Sequence, residues 1–128
     1  MSYASSFKDL ETYKLAREIS SEVFLISQSF PREEKYALTD QIRRSSRSVG
    51  TQIAESWEKR KYIRHFVSKL TDSDSEQFET QHWLEIALEC QYIPKEQFDE
   101  LTQKCELLGK MINHMIQKAN EFCKSGDR

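Results

Sequence analysis

The sequence predicts an all-α fold, a four-helix bundle with up-down-up-down connections, from three observations. Apolar residues recur every three or four positions along almost the whole chain, as they do in amphipathic helices. Only three of the 128 residues are glycine and two are proline, too few for the turns of a many-stranded sandwich or barrel. The length suits one domain, so we expect a single bundle over residues 1–128 with its core at about 7–123.

Helices 1 and 2 are separated by Pro31. The apolar spacing predicts helix 1 from about Asp9 to Gln28. Proline is favoured in the first turn of a helix, so the next apolar stripe predicts helix 2 from about Arg32 to Glu58. Two serines, Ser45 and Ser46, lie on this stripe; with Ser73 and Gln77 of helix 3 they are expected to allow close packing, with hydroxyls bonded to carbonyls one turn back.

Chain length predicts the turn between helices 2 and 3. No proline lies between Pro31 and Pro94, and a single helix over that stretch would be about 90 Å long, so a turn is placed near residues 59–62. Helix 3 then extends from Ile63 to the Ile93–Pro94 pair, although residues 71–75 are poor helix formers. Helix 4 has the most regular heptad, from Phe98 to Phe122, and residues 124–128 are expected to fray.

Motif spacing favours a protein without catalytic residues, metal or cofactor. One Glu-x-x-His pair, Glu79 with His82, has the spacing of di-iron bundle proteins, but the sequence contains no second pair. It also lacks Gly-x-Ser-x-Gly, a glycine-rich phosphate loop, and a cysteine close to a histidine. The three cysteines have no Cys-x-x-Cys spacing, and no apolar run is long enough to cross a bilayer. A cytoplasmic location without membrane contact is therefore expected.

Charge is distributed unevenly along the chain, although its formal net charge is only −2. Residues 41–69, the basic segment, carry eight basic and two acidic side chains, a net charge of +6. Residues 70–106, the acidic segment, carry two basic and ten acidic ones, a net charge of −8. The cations of the basic segment are Arg43, Arg44, Arg47, Lys59, Arg60, Lys61, Arg64 and Lys69.

Helical geometry directs the arginines of helix 2 out of the bundle. At 100° per residue, Arg43, Arg47 and Arg44 lie about 100°, 140° and 200° from the centre of the buried face at Ile42. Two small residues, Gly50 and Ala54, fall on the flank occupied by Arg43 and Arg47. This arrangement predicts a shallow surface that another backbone can approach closely.

The basic segment has two functional interpretations and a structural one. Arginines in a row can bind phosphates through paired hydrogen bonds, so RNA or DNA is one predicted partner. Alternatively, the basic segment of one copy docks on the acidic segment of the next, a heterologous contact that builds a ring or a filament. The structural interpretation is a solvated face whose charges pair four residues apart.

Residues 41–56 resemble the helix 2 signature of a known family. They read Gln-Ile-Arg-Arg-Ser-Ser-Arg-Ser-Val-Gly-Thr-Gln-Ile-Ala-Glu-Ser, similar to the Gln-Ile-Arg-Arg-Ala and Ser-Ile-Pro-x-Asn-Ile-Ala-Glu-Gly patterns of bacterial four-helix-bundle proteins. Those proteins are encoded by intervening sequences in 23S ribosomal RNA genes and were formerly labelled ribosomal proteins. The matching family-motif positions are Ser48, Ile53, Ala54 and Glu55 in helix 2, and Ser73 and Glu76 in helix 3. The chain departs from the pattern at Gly50, Gln52, Ser56 and Asp72, where the family has Pro, Asn, Gly and Gly.

The resemblance covers about residues 7–122 and implies a homopentamer of bundles with a central channel. It implies no enzymatic activity. It also extends to a distant relative, the accessory variability determinant of diversity-generating retroelements, a basic pentamer that binds nucleic acid and a reverse transcriptase. A reverse transcriptase is therefore a further implied partner. The pI of this chain is near 6.0, so only its basic segment matches the basic character of that relative.

Overall fold

Apolar residues at helical spacing form four long helices, as the sequence predicts. The computed structural model describes residues 4–124. The helices are α1 (Glu11–Ser27), α2 (Asp40–Glu58), α3 (Ile63–Glu89), α4 (Lys95–Gln117) and a short α5 (Ala119–Lys124). The described part of the chain contains no strand.

Successive helices run antiparallel, and α1 packs against α4 to close the bundle. Ser73 near the middle of α3 bonds to α2 at Val49, while Thr80, further along α3, bonds to Ser45, earlier in α2. At the other side of the bundle, the Thr12 hydroxyl at the start of α1 donates to the Met115 sulfur near the end of α4, at 3.3 Å. Between α1 and α2, Arg43 bonds to Ser27 whereas Gly50, further along α2, lies against Ala16, earlier in α1, so these helices are also antiparallel and the order is up-down-up-down.

The core lies along the axis of the bundle and receives side chains from all four long helices. Burying one large aliphatic side chain contributes about 1.5–3 kcal/mol. The largest fully buried apolar side chains are Ile19, Val23, Leu38, Ile42, Ile53, Phe66, Leu70, Leu84, Leu101, Leu108 and Ile112.

The start of α2 differs from the prediction. The segment predicted as the first turns of helix 2 forms a 3₁₀ turn at Arg32–Glu34 and a π-helical stretch at Lys35–Thr39, and α2 begins at Asp40. Leu38 remains buried in line with Ile42. The apolar stripe reports the direction of side chains and not the hydrogen-bond partners of the backbone, so it could not reveal this change.

The sequence pattern also misjudges where helices 3 and 4 are continuous. The stretch 71–75, poor in helix formers, lies within an uninterrupted α3 because tertiary packing overrides weak propensity there. The helix 4 heptad, by contrast, is interrupted at Lys118, between α4 and α5. The predicted turn at residues 59–62 is confirmed, and the Lys59 N–H caps α2 by donating to the Glu55 carbonyl.

The turn between α3 and α4 contains the only non-glycine residue with positive φ among residues 4–124. Gln91 has φ of 63° and follows the C-cap residue Cys90. The Tyr92 N–H donates to the Ala87 carbonyl, and the Gln91 N–H to the Leu88 carbonyl, which is the hydrogen-bond pattern of a Schellman motif.

The tail predicted to fray lies, at 125–128, outside the described residues. No helix in the described range is long and apolar enough to cross a membrane.

Candidate functional site

Two of the eight cations in the basic segment are neutralised within the chain. Arg44 Nη2 lies 2.7 Å from Glu79 Oε2 and 3.3 Å from Glu76 Oε1, which joins α2 to α3. Lys69 Nζ lies 2.8 Å from Glu55 Oε1. The hydrogen bond that Arg44 donates to Glu79 raises the pKa of Arg44 above its ordinary value, so the guanidinium keeps its charge.

The family-motif positions have structural roles in these contacts. Glu55 and Glu76 are ion-pair partners of Lys69 and Arg44, respectively. The buried Ser73 hydroxyl donates to the Val49 carbonyl across the α2–α3 interface, at 2.8 Å. Of the remaining three motif positions, Ser48 accepts a hydrogen bond from Arg44 at 3.5 Å, Ile53 is buried in the core, and Ala54 lines a groove at the surface.

Arg43 and Arg47 turn away from α3 and towards α1. Their guanidinium carbons lie 4.6 Å and 5.7 Å from the centre of the Phe24 ring. Arg43 Nε also donates to Ser27 Oγ at 2.8 Å. Within residues 4–124, neither guanidinium has a carboxylate within 4 Å, so both positive charges are available to an external anion.

An open groove of about 730 Å³ separates α1 from α2 next to these arginines. The small residues predicted to form a shallow surface, Gly50 and Ala54, do line this groove beside Arg47, but Gly50 is buried against Tyr13 and Ala16 of α1 and is not open to another backbone. A Cβ added at Gly50 would lie 3.7 Å from its nearest neighbours, in ordinary contact, so packing does not require a glycine here. The groove is lined by cations, hydroxyls, rings and small side chains, without a carboxylate: Phe7, Tyr13, Arg17, Ser20, Ser21, Phe24, Leu25, Arg47, Gly50, Thr51 and Ala54.

Two of these lining residues, Arg17 and Phe24, did not emerge from the sequence as candidates. Arg17 lies over the Tyr13 ring at 5.8 Å and donates to the Tyr13 hydroxyl at 2.9 Å. The signal for Phe24 was available, because this aromatic residue lies between the apolar stripe positions Val23 and Ile26, off the stripe, and is therefore expected to face outward. No spacing signal singled out Arg17.

The turn between α2 and α3 carries four further cations, which we call the basic end: Lys59, Arg60, Lys61 and Arg64. No acidic residue occurs within positions 59–64. Arg60 stacks on the Trp57 ring at 3.6 Å and donates to the Trp57 carbonyl. None of the four has a carboxylate within 4 Å in the described range. Tyr62, 57% exposed and 5.4 Å from the His65 ring, places an accessible aromatic surface among them.

The opposite end of α3 and the start of α4 form an acidic end. Residues 85–100 contain five acidic side chains and one basic side chain, Lys95. Because α3 has 27 residues, it separates this end from the basic end by about 40 Å. The carboxylates of the acidic segment are not uniformly free, since Glu76 and Glu79 bind Arg44, and Asp99 binds Lys95 at 2.6 Å.

Small polar residues in the interior contribute to packing. Ser45 and Ser46 donate to the carbonyls three residues back, at 3.3 Å and 3.2 Å, as predicted. The Ser45 hydroxyl also lies 2.9 Å from that of Thr80, which links α2 to α3. The Gln77 side chain donates to Asp74 on its own helix, at 2.9 Å.

The two side chains of the single Glu-x-x-His pair have other contacts in the structure. The Glu79 carboxylate accepts hydrogen bonds from Arg44 and from the Trp83 indole. Burial raises the pKa of Glu79, but the bonds from Trp83 and Arg44 outweigh it and lower the pKa overall. His82 is exposed beside Trp83. Residues 4–124 contain no group of three or more histidine, cysteine or acidic side chains placed to bind a metal ion.

Comparison with known proteins identifies relatives of this bundle. A family model described as 23S rRNA-intervening sequence protein matches residues 8–114. A crystal structure of a protein of unknown function from the S23 ribosomal protein family of Bacteroides thetaiotaomicron superposes with a TM-score of 0.74. The two sequences are 25% identical, and the match covers 83% of this chain and 98% of the other. A search of curated proteins found no match.

Proposed function

We propose that this chain, which belongs to the 23S rRNA-intervening sequence protein family, is a non-enzymatic module that binds nucleic acid through its basic end. The observation that carries the proposal is that most cations in the basic segment have no carboxylate partner. Two of the eight are paired with carboxylates of the same chain, whereas the others have no such partner within the described residues.

Unpaired cations favour binding to phosphates for an energetic reason. A cation that already contacts a carboxylate must lose that contact before it can bind a phosphate, whereas an unpaired one releases only water and counterions. Each phosphate neutralised by lysine or arginine displaces condensed counterions, which makes the binding strongly dependent on salt. The exposed Tyr62 ring adds a surface on which a base can stack.

The experiment compares two triple variants that remove the same side-chain types from the basic end and from other parts of the surface. K59Q/K61Q/R64Q changes the basic end, and R32Q/K35Q/K110Q changes exposed residues elsewhere, none of which has a carboxylate within 4 Å in the described range. Labelled single-stranded and duplex oligonucleotides are titrated between 50 and 200 mM salt by fluorescence anisotropy. The basic-end variant should weaken binding of both probes and reduce the slope of log affinity against log salt by about 2–3.

The matched variant should bind like the wild type. Equal losses in the two triple variants would show that only net charge matters and would contradict a basic-end site. Absence of salt-sensitive binding to any probe at 50 mM salt would refute the proposed function as a whole.

We propose as a second candidate that the bundle self-associates as a structural scaffold, with the homopentamer implied by the family resemblance. The supporting observation is a pair of large apolar side chains left on the surface of α3 and α4, where Phe78 is 60% exposed and Leu107 51% exposed. Light scattering tests it. The wild type should have several times the 15.2 kDa mass of one chain, and F78S/L107S should reduce that mass. A monomeric wild type would refute self-association.

A further inference from the structure

We infer that the α1–α2 groove binds a single-stranded nucleic acid, with unpaired bases stacked on its rings and guanidinium groups. This inference rests on the proposed function, because it names the form of nucleic acid and a second contact surface. It concerns a different set of residues from the basic end.

Two ring-and-guanidinium platforms lie along the groove. The first is Phe24, 37% exposed, with Arg43 and Arg47 over its ring. The second is Tyr13, whose ring lies beneath Arg17 and meets the edge of the Phe7 ring at 4.9 Å. Proteins that recognise unpaired bases stack them on aromatic side chains and on arginine planes. Tyr13 and Phe24 lie about 16 Å apart along α1, so a strand of several nucleotides can reach both.

The charge of the groove suits a phosphate backbone. Its lining includes two arginines, with Arg43 just beyond, and no carboxylate. A guanidinium has five N–H donors. Arg17 and Arg43 each use one of them in a hydrogen bond to a hydroxyl. The remaining donors of these arginines have no protein acceptor within the described range, so they are available to phosphate oxygens.

The groove continues towards the basic end. On the α2 side its wall includes Gly50, which is buried against Tyr13 and Ala16 of α1, and the half-buried Ala54. Lys59 follows Ala54 by five residues, or about 7.5 Å along the helix. Glu58 lies on the same face of α2 one turn beyond Ala54, so the groove ends near the basic end, and an exposed carboxylate separates the two surfaces.

Aromatic platforms discriminate between single and double strands. In a duplex the faces of the bases are stacked on one another, and only their edges and the phosphates are accessible. In a single strand the faces are free to stack on protein rings. The basic end should bind both forms through their phosphates, whereas the groove should add affinity only for the single strand.

The experiment replaces the groove ring and a matched exposed ring elsewhere. Phe24→Leu keeps the side chain apolar but removes the stacking face, and Tyr36→Leu does the same at an exposed position outside the groove. Affinities are measured by anisotropy with a labelled 12-nucleotide single strand and its duplex. Phe24→Leu should weaken single-strand binding by about 5- to 100-fold and change duplex binding less than about twofold. Tyr36→Leu should change neither.

Several outcomes would overturn the inference, and they are distinguishable from failure of the proposed function. If the two probes bind equally and Phe24→Leu affects neither, the groove is not the site, while the basic end remains supported. If Phe24→Leu reduces the mass measured by light scattering, the groove is a contact between copies of the chain. If neither probe binds the wild type with salt sensitivity, the inference and the proposed function fail together.

Discussion

Gly109→Ala should destabilise the bundle even though alanine is the better helix former. Gly109 lies on α4 against α3, and an added Cβ would be 2.9 Å from Gln77 Nε2 and 3.2 Å from Asp74 Oδ1. Gln77 is only 2% exposed. Its amide donates to Asp74 at 2.9 Å and accepts from Gln81 at 2.8 Å, so it cannot move aside without disturbing these hydrogen bonds.

The size of the destabilisation follows from one gain, in helix propensity, and two costs, at the Gln77 side chain. Replacing glycine by alanine inside a helix gains about 1 kcal/mol of propensity. Leaving a buried polar group without its partner costs about 1–3 kcal/mol, and forcing its side chain off a rotamer costs about 0.5–1.5 kcal/mol. Gly109→Ala should therefore lower the free energy of unfolding by about 0.5–3.5 kcal/mol. Gly50→Ala meets only ordinary contacts at 3.7 Å and should raise it by up to about 1 kcal/mol.

Urea and thermal unfolding followed by circular dichroism measure this difference. At about 3–5 °C per kcal/mol, the midpoints of the two variants should differ by about 2–20 °C, with Gly109→Ala the lower. Gln77→Ala provides a second check, because removing the amide should turn the effect of Gly109→Ala from destabilising to neutral or stabilising. If Gly109→Ala is as stable as Gly50→Ala, or if Gln77→Ala leaves its effect unchanged, close approach is not the reason for glycine at 109.

Three further predictions concern the turn between α3 and α4, the thiols and one phenol. Gln91→Gly should raise the free energy of unfolding by about 0.5–1 kcal/mol in urea titrations, because glycine adopts the positive φ of 63° without steric cost. Burial raises the pKa of the Cys105 thiol to about 12, so at pH 8 a thiol reagent should modify the exposed Cys90 and reach Cys105 only after unfolding. The hydrogen bond to Glu34 raises the pKa of Tyr92 to about 12, above the ordinary value of about 10. Its stabilising effect should therefore be complete below pH 10 and lost between about pH 10 and 12, and Glu34→Gln should return one phenol in a spectrophotometric titration towards pH 10.

The sequence predicted the helices better than the details of their ends. The turn at residues 59–62 followed from the physical limit on helix length, and the structure has α2 ending at Glu58 and α3 beginning at Ile63. The break at Lys118 could not be found in this way, because the apolar heptad continues across it. The side-chain pattern records which face is buried, whereas the break depends on backbone hydrogen bonds.

The candidate site was likewise predicted only in part. Helical geometry placed Arg43, Arg44 and Arg47 on the outside of α2. It could not predict that Arg44 would meet carboxylates while Arg47 would meet a ring, because these neighbours depend on which helix flanks each side and on the axial register. Both are tertiary properties, fixed by contacts such as the Ser73 hydroxyl with the Val49 carbonyl.

Because the basic and acidic ends lie at opposite ends of the bundle, only one end attracts a polyanion. A bundle held on a duplex by its basic end alone directs its acidic end about 40 Å outward, into solvent. A second duplex that approaches this outer surface meets a cluster of carboxylates and is repelled. Copies arranged along one duplex should therefore coat it without cross-linking it to another, and mixtures should stay dispersed instead of condensing.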